Sequence, residues 1–390
     1  SWKVSYVGVK NGVEGNQKKI GYSSLRISKN SPRGRRTLYV ASTAGIFKST
    51  DHGISWVDVS GDLPHNDVEQ IDLYDAPDGK NHILFAALQN RKGVRGIFRS
   101  RNGSGKWENI SGDLPLSRIP GGFLHIAVSR QTPDIIYAAP GRGINDQGRA
   151  ERGKGIYKTI DGGKHWVNVF RTTGPSPNGD PVSWFNAGGY GDIVEAMSLS
   201  AMDDRILYVA DGGCKLYRTI DGGNSWQQIF TRRLADGSYT SRGCDSFCVL
   251  DLAFHPRNPD CLYLAENDFM LLTSRNHGRS WFANAQMDIN KERTPIGTTS
   301  LAVLPEEPDL VFAGIHGWSS EGKNGIFCVS ENAGESWSVR SSGQGRTPAF
   351  FRGNPILYNR YITSILPLTK DHIFITKRTG LMESLDGGRT

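Results

Sequence analysis

The stretch Ser49-Thr50-Asp51-His52-Gly53-Ile54-Ser55-Trp56 recurs along the whole chain with the spacing Ser/Thr-x-Asp/Asn-x-Gly-x-x-Trp. Copies that recur at a nearly constant period are interpreted first, because they indicate a repeat architecture. The leading residues of the copies are Ser49, Ser100, Thr159, Thr219, Ser274, Ser330 and Ser384, which gives steps of 51, 59, 60, 55, 56 and 54 residues. Each step is long enough for four short strands, so the period predicts seven blades of a β-propeller.

The residue types of the repeat predict a tight turn. An Asp or Asn side chain accepts hydrogen bonds from backbone N–H groups two residues on, and glycine supplies a positive φ. The leading hydroxyl joins this local network, and the tryptophan covers the turn. The sequence therefore predicts structural roles for the acid or amide of each copy: Asp51, Asn102, Asp161, Asp221, Asn276, Asn332 and Asp386. The second copy is looser, with Ser104 at the glycine position, and the seventh ends before its tryptophan.

These copies resemble the Asp-box, or BNR repeat, of sialidase-like and related β-propellers, over nearly the whole chain. That superfamily includes glycosidases, sorting receptors, assembly factors and non-catalytic subunits, so the resemblance implies a fold more than a function. Sialidases place an Arg-Ile-Pro motif before their first repeat, whereas Arg118-Ile119-Pro120 follows the second repeat here. Xyloglucanase-like enzymes carry an Asp in the first blade, where this chain has Ser42-Thr43-Ala44-Gly45. No single member of the superfamily matches.

Length alone would allow two or three domains, but the repeat favours one all-β domain spanning residues 1–390. Gly 47, Pro 18 and 37% hydrophobic residues suit many short strands and tight turns. No apolar run approaches the ~18 residues of a membrane span. Because the chain begins at Ser1 without an apolar leader, we expect a processed or trimmed protein.

The five cysteines do not decide the cellular compartment, although a disulfide among them would favour export. One disulfide, of Cys214 with Cys244 or Cys248, would suit an oxidising compartment, and burial as small apolar side chains explains the cysteines equally well. Together with the resemblance this predicts an extracytoplasmic protein, periplasmic or secreted. The chain has no Cys-x-x-Cys-His sequence, and Cys244-x3-Cys248 lacks clustered histidines, so we expect no cofactor and no metal.

The net charge of +7 permits an acidic partner. Three basic clusters occur, in separate predicted blades and without the aromatic platform that single-stranded nucleic acid requires, so we expect no nucleic-acid partner. They are Arg33, Arg35 and Arg36; Arg91, Lys92, Arg95, Arg99 and Arg101; and Arg142, Arg149, Arg152 and Lys154.

The two ends of the chain predict how the propeller closes. The seventh repeat stops at Thr390 without a fourth strand, while Trp2 precedes an alternating run, as a tryptophan precedes the fourth strand elsewhere. The N-terminal strand is therefore predicted to complete the last blade, although a strand beyond Thr390 is an alternative. Antiparallel order then places all seven repeats at one face, and binding is expected in the variable loops at the other. Those loops are longest at residues 140–154, 170–191, 230–247, 283–299, 316–324 and 340–361.

Candidate binding residues lie in these loops. Trp184 and Trp318 offer aromatic surfaces for a sugar ring or a partner protein, and packing within their own loops explains them equally well. Tyr190, His316, Lys377 and Arg378 complete the predicted set.

Two carboxylates form the one candidate catalytic pair. Asp211 and Asp268 follow the second strands of adjacent predicted blades, and glycosidases place two carboxyl groups roughly 5–10 Å apart. An Asp beside glycine also serves simply to make a turn. The sequence thus favours a non-catalytic exported scaffold or subunit of a larger protein complex, of which an extracytoplasmic redox complex is one example. The alternative is a glycoside hydrolase or carbohydrate-binding lectin.

Overall fold

A computed structural model describes residues 3–5, 22–91, 93–119, 121–144, 150–152, 155–170, 194–211, 215–236, 239–242, 249–266, 271–283, 296–317, 326–341, 362–377 and 380–389. These residues form seven four-stranded antiparallel sheets, which confirms the all-β, seven-bladed β-propeller fold class. They divide into two compact units. The four-blade unit is Val7–Gln228, and the three-blade unit is Ser1–Tyr6 with Ile229–Thr390. One domain over residues 1–390 stays a prediction.

The three-blade unit contains the N-terminal strand and the fifth to seventh blades. Its strands are β1 (Lys3–Ser5), β22 (Val249–Phe254), β23 (Leu262–Glu266), β24 (Leu271–Ser274), β25 (Phe282–Ala283), β26 (Ile296–Val303), β27 (Val311–Gly317), β28 (Ile326–Ser330), β29 (Ser338–Ser341), β30 (Ile362–Pro367), β31 (Ile373–Lys377) and β32 (Gly380–Ser384), with the added hairpin β20 (Thr231–Arg233) and β21 (Tyr239–Ser241).

The four-blade unit contains the first to fourth blades and the short 3-10 helix η1 (Leu116–Arg118). Its strands are β2 (Tyr22–Ser28), β3 (Thr37–Ser42), β4 (Gly45–Ser49), β5 (Val57–Asp58), β6 (Val68–Asp75), β7 (His82–Arg91), β8 (Val94–Arg101), β9 (Glu108–Asn109), β10 (Phe123–Val128), β11 (Ile136–Pro140), β14 (Ile156–Thr159), β15 (Val167–Phe170), β16 (Val194–Leu199), β17 (Leu207–Asp211), β18 (Leu216–Thr219) and β19 (Gln227–Gln228), with the added hairpin β12 (Arg142–Ile144) and β13 (Ala150–Arg152).

The last blade takes its fourth strand from the N-terminus, as predicted. Strand β1 pairs with β32, and Lys3 lies opposite Glu383. In the first blade Val57, the residue after Trp56, likewise lies opposite Lys48, the residue before Ser49. The register of Lys3 therefore matches that of a residue following a repeat tryptophan. Trp2 itself lies outside the described residues.

The second strand of each blade carries most of the core. Every residue of β17 and of β23 is buried, because both faces of a second strand are covered by other side chains. Their continuous apolar sequences differ from the alternation of a half-exposed strand, as expected for a strand packed on both faces. Two thiols, Cys261 and Cys328, contribute to this core as buried free cysteines. Cys214, Cys244 and Cys248, and with them the predicted disulfide, lie outside the described residues.

We call the eight-residue repeat the corner motif, and the end of a blade where it lies the corner end; the opposite end is the loop end. In the third blade, Thr159 Oγ1 donates to Asp161 Oδ1 at 2.8 Å, and the N–H of Gly163 donates to Thr159 Oγ1 at 3.0 Å. The N–H of His165 donates to the same carboxylate oxygen at 3.0 Å. The leading hydroxyl and the carboxylate thus satisfy the backbone of the turn, and these hydrogen bonds lower the pKa of Asp161.

The same bonds form at five other corners. The N–H of the fifth residue donates to the leading hydroxyl at 2.8–2.9 Å in the pairs Gly53–Ser49, Gly223–Thr219, Gly278–Ser274, Gly334–Ser330 and Gly388–Ser384. The acid or amide accepts the leading hydroxyl in the pairs Ser49–Asp51, Thr219–Asp221, Ser274–Asn276, Ser330–Asn332 and Ser384–Asp386.

The second corner differs from the prediction for Asn102. Asn102 has φ 52°, and its N–H bonds the carbonyl of His82 in the preceding turn. Elsewhere the fourth residue of the corner does this, as when the N–H of Gly162 bonds the carbonyl of Asp134. Asn102 therefore holds the fourth place, not the third, and its Oδ1 accepts the N–H of His82 at 2.8 Å. The second corner thus reaches its fourth place two residues after Ser100, one residue earlier than the other corners, and five residues instead of four lead from that place to Trp107.

A second repeated sequence connects the first three blades. Ser60-Gly61-Asp62-Leu63-Pro64 and Ser111-Gly112-Asp113-Leu114-Pro115 each follow a fourth strand. Asp62 Oδ1 accepts the N–H of Trp107 in the next blade at 2.7 Å, and Asp113 Oδ1 does the same for Trp166. The tryptophan of one corner is thereby fixed to the preceding blade.

Further bonds connect the first strands of neighbouring blades. The buried carboxylate of Asp72 in the second blade accepts Arg26 of the first and Arg130 of the third, at 3.1 and 2.8 Å. Burial alone would raise the pKa of Asp72, but the two guanidinium groups and the N–H of Val128 outweigh it and lower the pKa. In the three-blade unit, Asp251 Oδ2 accepts the N–H of Leu301 at 2.9 Å.

Two histidines are shielded between blades. The hydroxyl of Tyr39 lies 2.5 Å from His82 Nε2, and burial lowers the pKa of His82 to about 4. Burial likewise lowers the pKa of His125 to about 4, against a smaller opposing effect of its bonds to the backbone of Val194 and Glu195. Both imidazoles are therefore neutral in the folded protein at neutral pH.

Replacing Asp221 with Ala should lower the free energy of unfolding by about 1–3 kcal/mol, because the variant loses an acceptor of charged hydrogen bonds within the corner. Chemical denaturation measures the change. Replacement of the adjacent Ile220, which is 58% exposed, with Ala is the matched control and should change stability by less than about 0.5 kcal/mol. Equal effects of the two substitutions would contradict the assigned role of the carboxylate.

Stability should fall as the pH drops from about 6.5 towards 4. An unfolded histidine binds its proton near pH 6.5, whereas folded His82 and His125 bind theirs near pH 4, so protons favour the unfolded chain within this window. Above pH 6.5 the contribution is constant. The loss per histidine is at most about 3 kcal/mol. Denaturation between pH 7.5 and 4 should show a shallower decline in His82→Gln than in the wild type, and parallel curves would argue against a buried neutral His82.

Candidate functional site

The loop ends carry added structure in two blades. The hairpin β12–β13 lies in the connection between the second and third strands of the third blade, and β20–β21 precedes the fifth blade. Both fall inside loops that the sequence singled out, at residues 140–154 and 230–247. The other long loops lie mostly outside the described residues.

Every first strand has the same irregularity near its start. The register shifts by one residue in all seven blades, as between Val194 and Ala196. The first-strand residue just before the bulge pairs with a residue of the second strand. That partner is the last residue of the second strand, or one close to it, and lies at the loop end. The set is Ser42, Leu88, Pro140, Asp211, Glu266, Ile315 and Lys377. A bulge next to a strand end re-aims side chains and is frequent beside functional sites.

Asp211 is fully buried and is used by its own turn. Its Oδ1 accepts the N–H of Lys215 at 3.0 Å, and its backbone N–H donates to the Lys215 carbonyl at 2.9 Å. The hydroxyl of Tyr217 lies 3.5 Å from Oδ2. Burial and the nearby Asp211 carboxylate raise the pKa of Tyr217. Ser42 occupies the same register in the first blade, and its hydroxyl likewise accepts a turn N–H, that of Ala44 at 3.1 Å. Asp211 therefore has the geometry of a turn cap.

The predicted partner of Asp211 lies outside the described residues, and another carboxylate holds the equivalent place. Asp268 is outside the described part of the chain, whereas Glu266 occupies in the fifth blade the register of Asp211 in the fourth. Glu266 is fully buried. The sequence contains the signal, since Asp211 follows Ala210 and Glu266 follows Ala265 at the end of an apolar run.

The other predicted binding residues are not brought together in the described structure. Trp184, Tyr190, Trp318 and Arg378 lie outside the described residues. His316 pairs with Gly297 in the sheet of the sixth blade, and Lys377 pairs with Ile362 in that of the seventh. Both backbone positions are at loop ends, and a binding role for the two residues stays a prediction.

Basic residues meet at the loop ends of the second and third blades. In the hairpin β12–β13 the register places Arg142 directly opposite Arg152. The N–H of Gly141, at the hairpin base, donates to the carbonyl of Gly122 at 2.9 Å. Gly122 lies shortly after η1, whose exposed Arg118 has the same charge. The hairpin that carries Arg142 and Arg152 of the third basic cluster is therefore bonded to the segment that follows Arg118, which belongs to none of the three clusters.

The arginines of the second cluster are distributed over both ends of their blade. Arg91 pairs with Asp67, and Arg95 donates to the carbonyl of Leu116 at 2.8 Å, both at the loop end. Arg99, the residue just before the second corner motif, instead forms an ion pair with Glu108 at 2.8 Å. Only some arginines of the second cluster therefore lie at the loop end.

Within the described ranges, no group of three or more His, Cys, Asp or Glu side chains is arranged to hold a metal ion. None of the helices found in those ranges is long and apolar enough to cross a membrane.

Comparisons with known proteins show the fold alone. No protein-family model and no curated protein matches the chain. Among solved structures, the GH74 xyloglucanase from Xanthomonas campestris matches with a TM-score of 0.63 and 15% identity, over 100% of this chain and 54% of that one. YCF48 bound to a D1 peptide matches with a TM-score of 0.57 and 14% identity, over 99% and 96%. The extracellular domain of BT4673 from B. thetaiotaomicron matches with a TM-score of 0.58 and 13% identity, over 98% and 39%.

The chain thus spans about half the length of the xyloglucanase and two fifths of the BT4673 domain. These structures define its class as a seven-bladed β-propeller. The likeness to these proteins shows the fold and assigns none of their functions to this chain.

Replacing Asp211 with Ala should lower the free energy of unfolding by about 2–3 kcal/mol, because buried turn N–H and Tyr217 hydroxyl groups lose their acceptor. Asp211→Asn keeps one acceptor and should cost less. Chemical denaturation of both variants measures this. Unchanged or increased stability in Asp211→Ala would point instead to a carboxylate held for chemistry at the expense of stability.

Proposed function

We propose that this protein is a non-catalytic propeller scaffold that binds a partner protein through the loop ends of its blades. The observation that carries the proposal is the register of the hairpin β12–β13, which places Arg142 opposite Arg152 at a loop end, near Arg118. These three residues are the proposed arginine surface. Like charges directly opposite each other destabilise an antiparallel pair. An acidic partner would remove this repulsion and gain charge-assisted hydrogen bonds.

The use of Asp211 supports a non-catalytic role. A carboxylate that is fully buried and caps its own turn has little capacity left for a substrate.

YCF48, a propeller of similar length, has been solved bound to a D1 peptide, which supports a peptide-binding use of this fold. Membership of the Asp-box superfamily is part of the proposal, supported by the hydroxyl–carboxylate bonds of the corners. An extracytoplasmic location is also proposed, in line with the extracellular domain of BT4673.

A fluorescein-labelled glutamate-rich peptide should bind the full chain saturably and more weakly as salt is raised. The double variant Arg142→Glu with Arg152→Glu should lose about tenfold or more in affinity, measured by fluorescence anisotropy. Arg101→Glu, an exposed arginine at the corner end, is the charge-matched control and should bind nearly as well as the wild type. Equal losses in the control and the double variant, or no binding at all, would refute this surface.

A carbohydrate-active function is the second candidate. It is favoured by the equivalent register of Asp211 and Glu266, two buried carboxylates at loop ends. Hydrolysis of a polysaccharide panel that disappears in Glu266→Gln while the fold persists would establish it. Polysaccharide binding without hydrolysis would indicate a lectin, and Trp184 or Trp318 would then be its candidate sugar platform.

A further inference from the structure

One place in the blade is a glycine in the first three blades and a lysine in the fourth. It lies four residues before the leading Ser or Thr of the corner motif, where the chain enters the third strand, and we call it the entry place. The glycines are Gly45, Gly96 and Gly155, and the lysine is Lys215. A Cβ on these glycines would overlap Ser60, Ser111 and Phe170, respectively. The first three blades therefore leave no room for a side chain at the entry place.

Lys215 fills the entry place of the fourth blade with a buried side chain. It is 5% exposed, and no other lysine or arginine among the described residues is buried. Within the described parts of the chain, its ammonium forms no hydrogen bond and no ion pair, and the bonds of Lys215 are those of its backbone. Burial of a charge without a partner is costly. The Lys215 ammonium therefore lacks the anion that would offset its burial.

The tip of the Lys215 side chain is nonetheless open to solvent. Lys215 Nζ is not among the side-chain nitrogens and oxygens of the described structure that are both fully enclosed and without a partner. Because Nζ has no partner, it reaches the surface, as a lysine head group does when its stem is buried. The loop end of the fourth blade thus presents one ammonium at the end of an enclosed stem.

The backbone of Lys215 is held on both sides by Asp211. Asp211 Oδ1 accepts the N–H of Lys215 at 3.0 Å, and the N–H of Asp211 donates to the Lys215 carbonyl at 2.9 Å. The ring of Tyr217, whose hydroxyl lies 3.5 Å from Asp211 Oδ2, packs 5.0 Å from that of Phe170 in the third blade. The turn that carries Lys215 is therefore fixed to the sheet. Since the stem is enclosed too, little side-chain freedom remains to be lost when the ammonium binds.

The charges around Lys215 at the loop ends have the same sign. The fourth blade lies in the same four-blade unit as the hairpin β12–β13 of the third blade. In that hairpin the register places Arg142 opposite Arg152. Consecutive blades thus carry basic residues at their loop ends, which favours a negatively charged ligand there.

We propose that Lys215 anchors a carboxylate side chain of the acidic partner protein. The carboxylate accepts a charge-assisted hydrogen bond from Nζ and supplies the anion that the buried lysine lacks. The anchor rests on the proposed function for the source of the carboxylate, namely a partner protein. The ammonium site itself is defined by Lys215 and does not depend on the arginine surface.

A fluorescein-labelled glutamate-rich peptide tests the anchor in the full chain. Lys215→Met keeps the apolar stem and removes the charge, so anisotropy should show binding weaker by about fivefold or more, with a shallower dependence on salt. Lys164→Met removes the same charge from an exposed lysine at the corner end and should bind like the wild type. Equal affinities of the wild type and Lys215→Met, or equal losses in the two variants, would overturn the anchor.

Small anions test the ammonium site separately from the partner. At constant ionic strength, sodium acetate should raise the unfolding temperature of the wild type above its value in sodium chloride, and Lys215→Met should lose that rise. A rise of the same size in Lys215→Met would overturn the site. A larger rise in sodium phosphate than in acetate, lost in the same variant, would overturn the assignment to a carboxylate.

Failure of the anchor and failure of the proposed function give different results. Peptide binding that is lost in Arg142→Glu with Arg152→Glu but kept in Lys215→Met would leave the function and remove the anchor. An acetate effect that depends on Lys215, in a protein that binds no acidic peptide, would overturn the partner protein as the source. If Lys215→Met fails to fold, Lys215→Gly, which installs the residue of the first three blades, replaces it and must give the same results.

Discussion

The hydrogen-bond network of the corner is the constraint on which the rest of this structure depends. A hydroxyl on the third strand binds both the carboxylate and the N–H of the fifth corner residue, so the turn to the fourth strand is satisfied locally. This geometry also fixes where the carbonyl of the fourth residue lies. In the second, third and fourth blades that carbonyl accepts a hydrogen bond from a basic side chain of the preceding blade, so one turn there determines both the shape of a blade and its contact with a neighbour. The same few residues therefore satisfy the backbone hydrogen bonds of the turn and make the contact with the neighbouring blade.

Much of the fold could be predicted because turn chemistry is local. The spacing from Thr159 to Trp166 contains the information for its own turn, and seven such turns set the blade count. The strand that completes the last blade was predictable for the same reason, since Lys3 takes a register that local sequence defines. Asn102 was assigned to the third corner place because the spacing from Ser100 to Trp107 is that of the other copies, whereas the turn reaches its fourth place one residue earlier. The two Ser-Gly-Asp-Leu-Pro sequences were missed although they repeat 51 residues apart, the step between the first two corners.

The candidate site was much less predictable, because it depends on pairing between distant strands. From its place after an apolar run and before glycine, Asp211 was a candidate for catalysis or for a turn, and only the structure shows its bonds to Lys215. Glu266 was overlooked in favour of Asp268 because the bulge that aligns it with Asp211 is not visible in the sequence. The opposition of Arg142 and Arg152 likewise appears only when the register is known. Structures with this fold include a xyloglucanase and YCF48 bound to a D1 peptide, so the fold alone does not define the site.

The most direct test of the central claim is amide hydrogen exchange at Gly163 and Gly223, whose N–H groups donate to Thr159 and Thr219. If the leading hydroxyl holds the corner, both amides should exchange as slowly as those of the adjoining strands. Thr219→Val should speed exchange at Gly223 by about tenfold or more while leaving Gly163 unchanged. Rapid exchange of both amides in the wild type, or no change at Gly223 in the variant, would contradict the account.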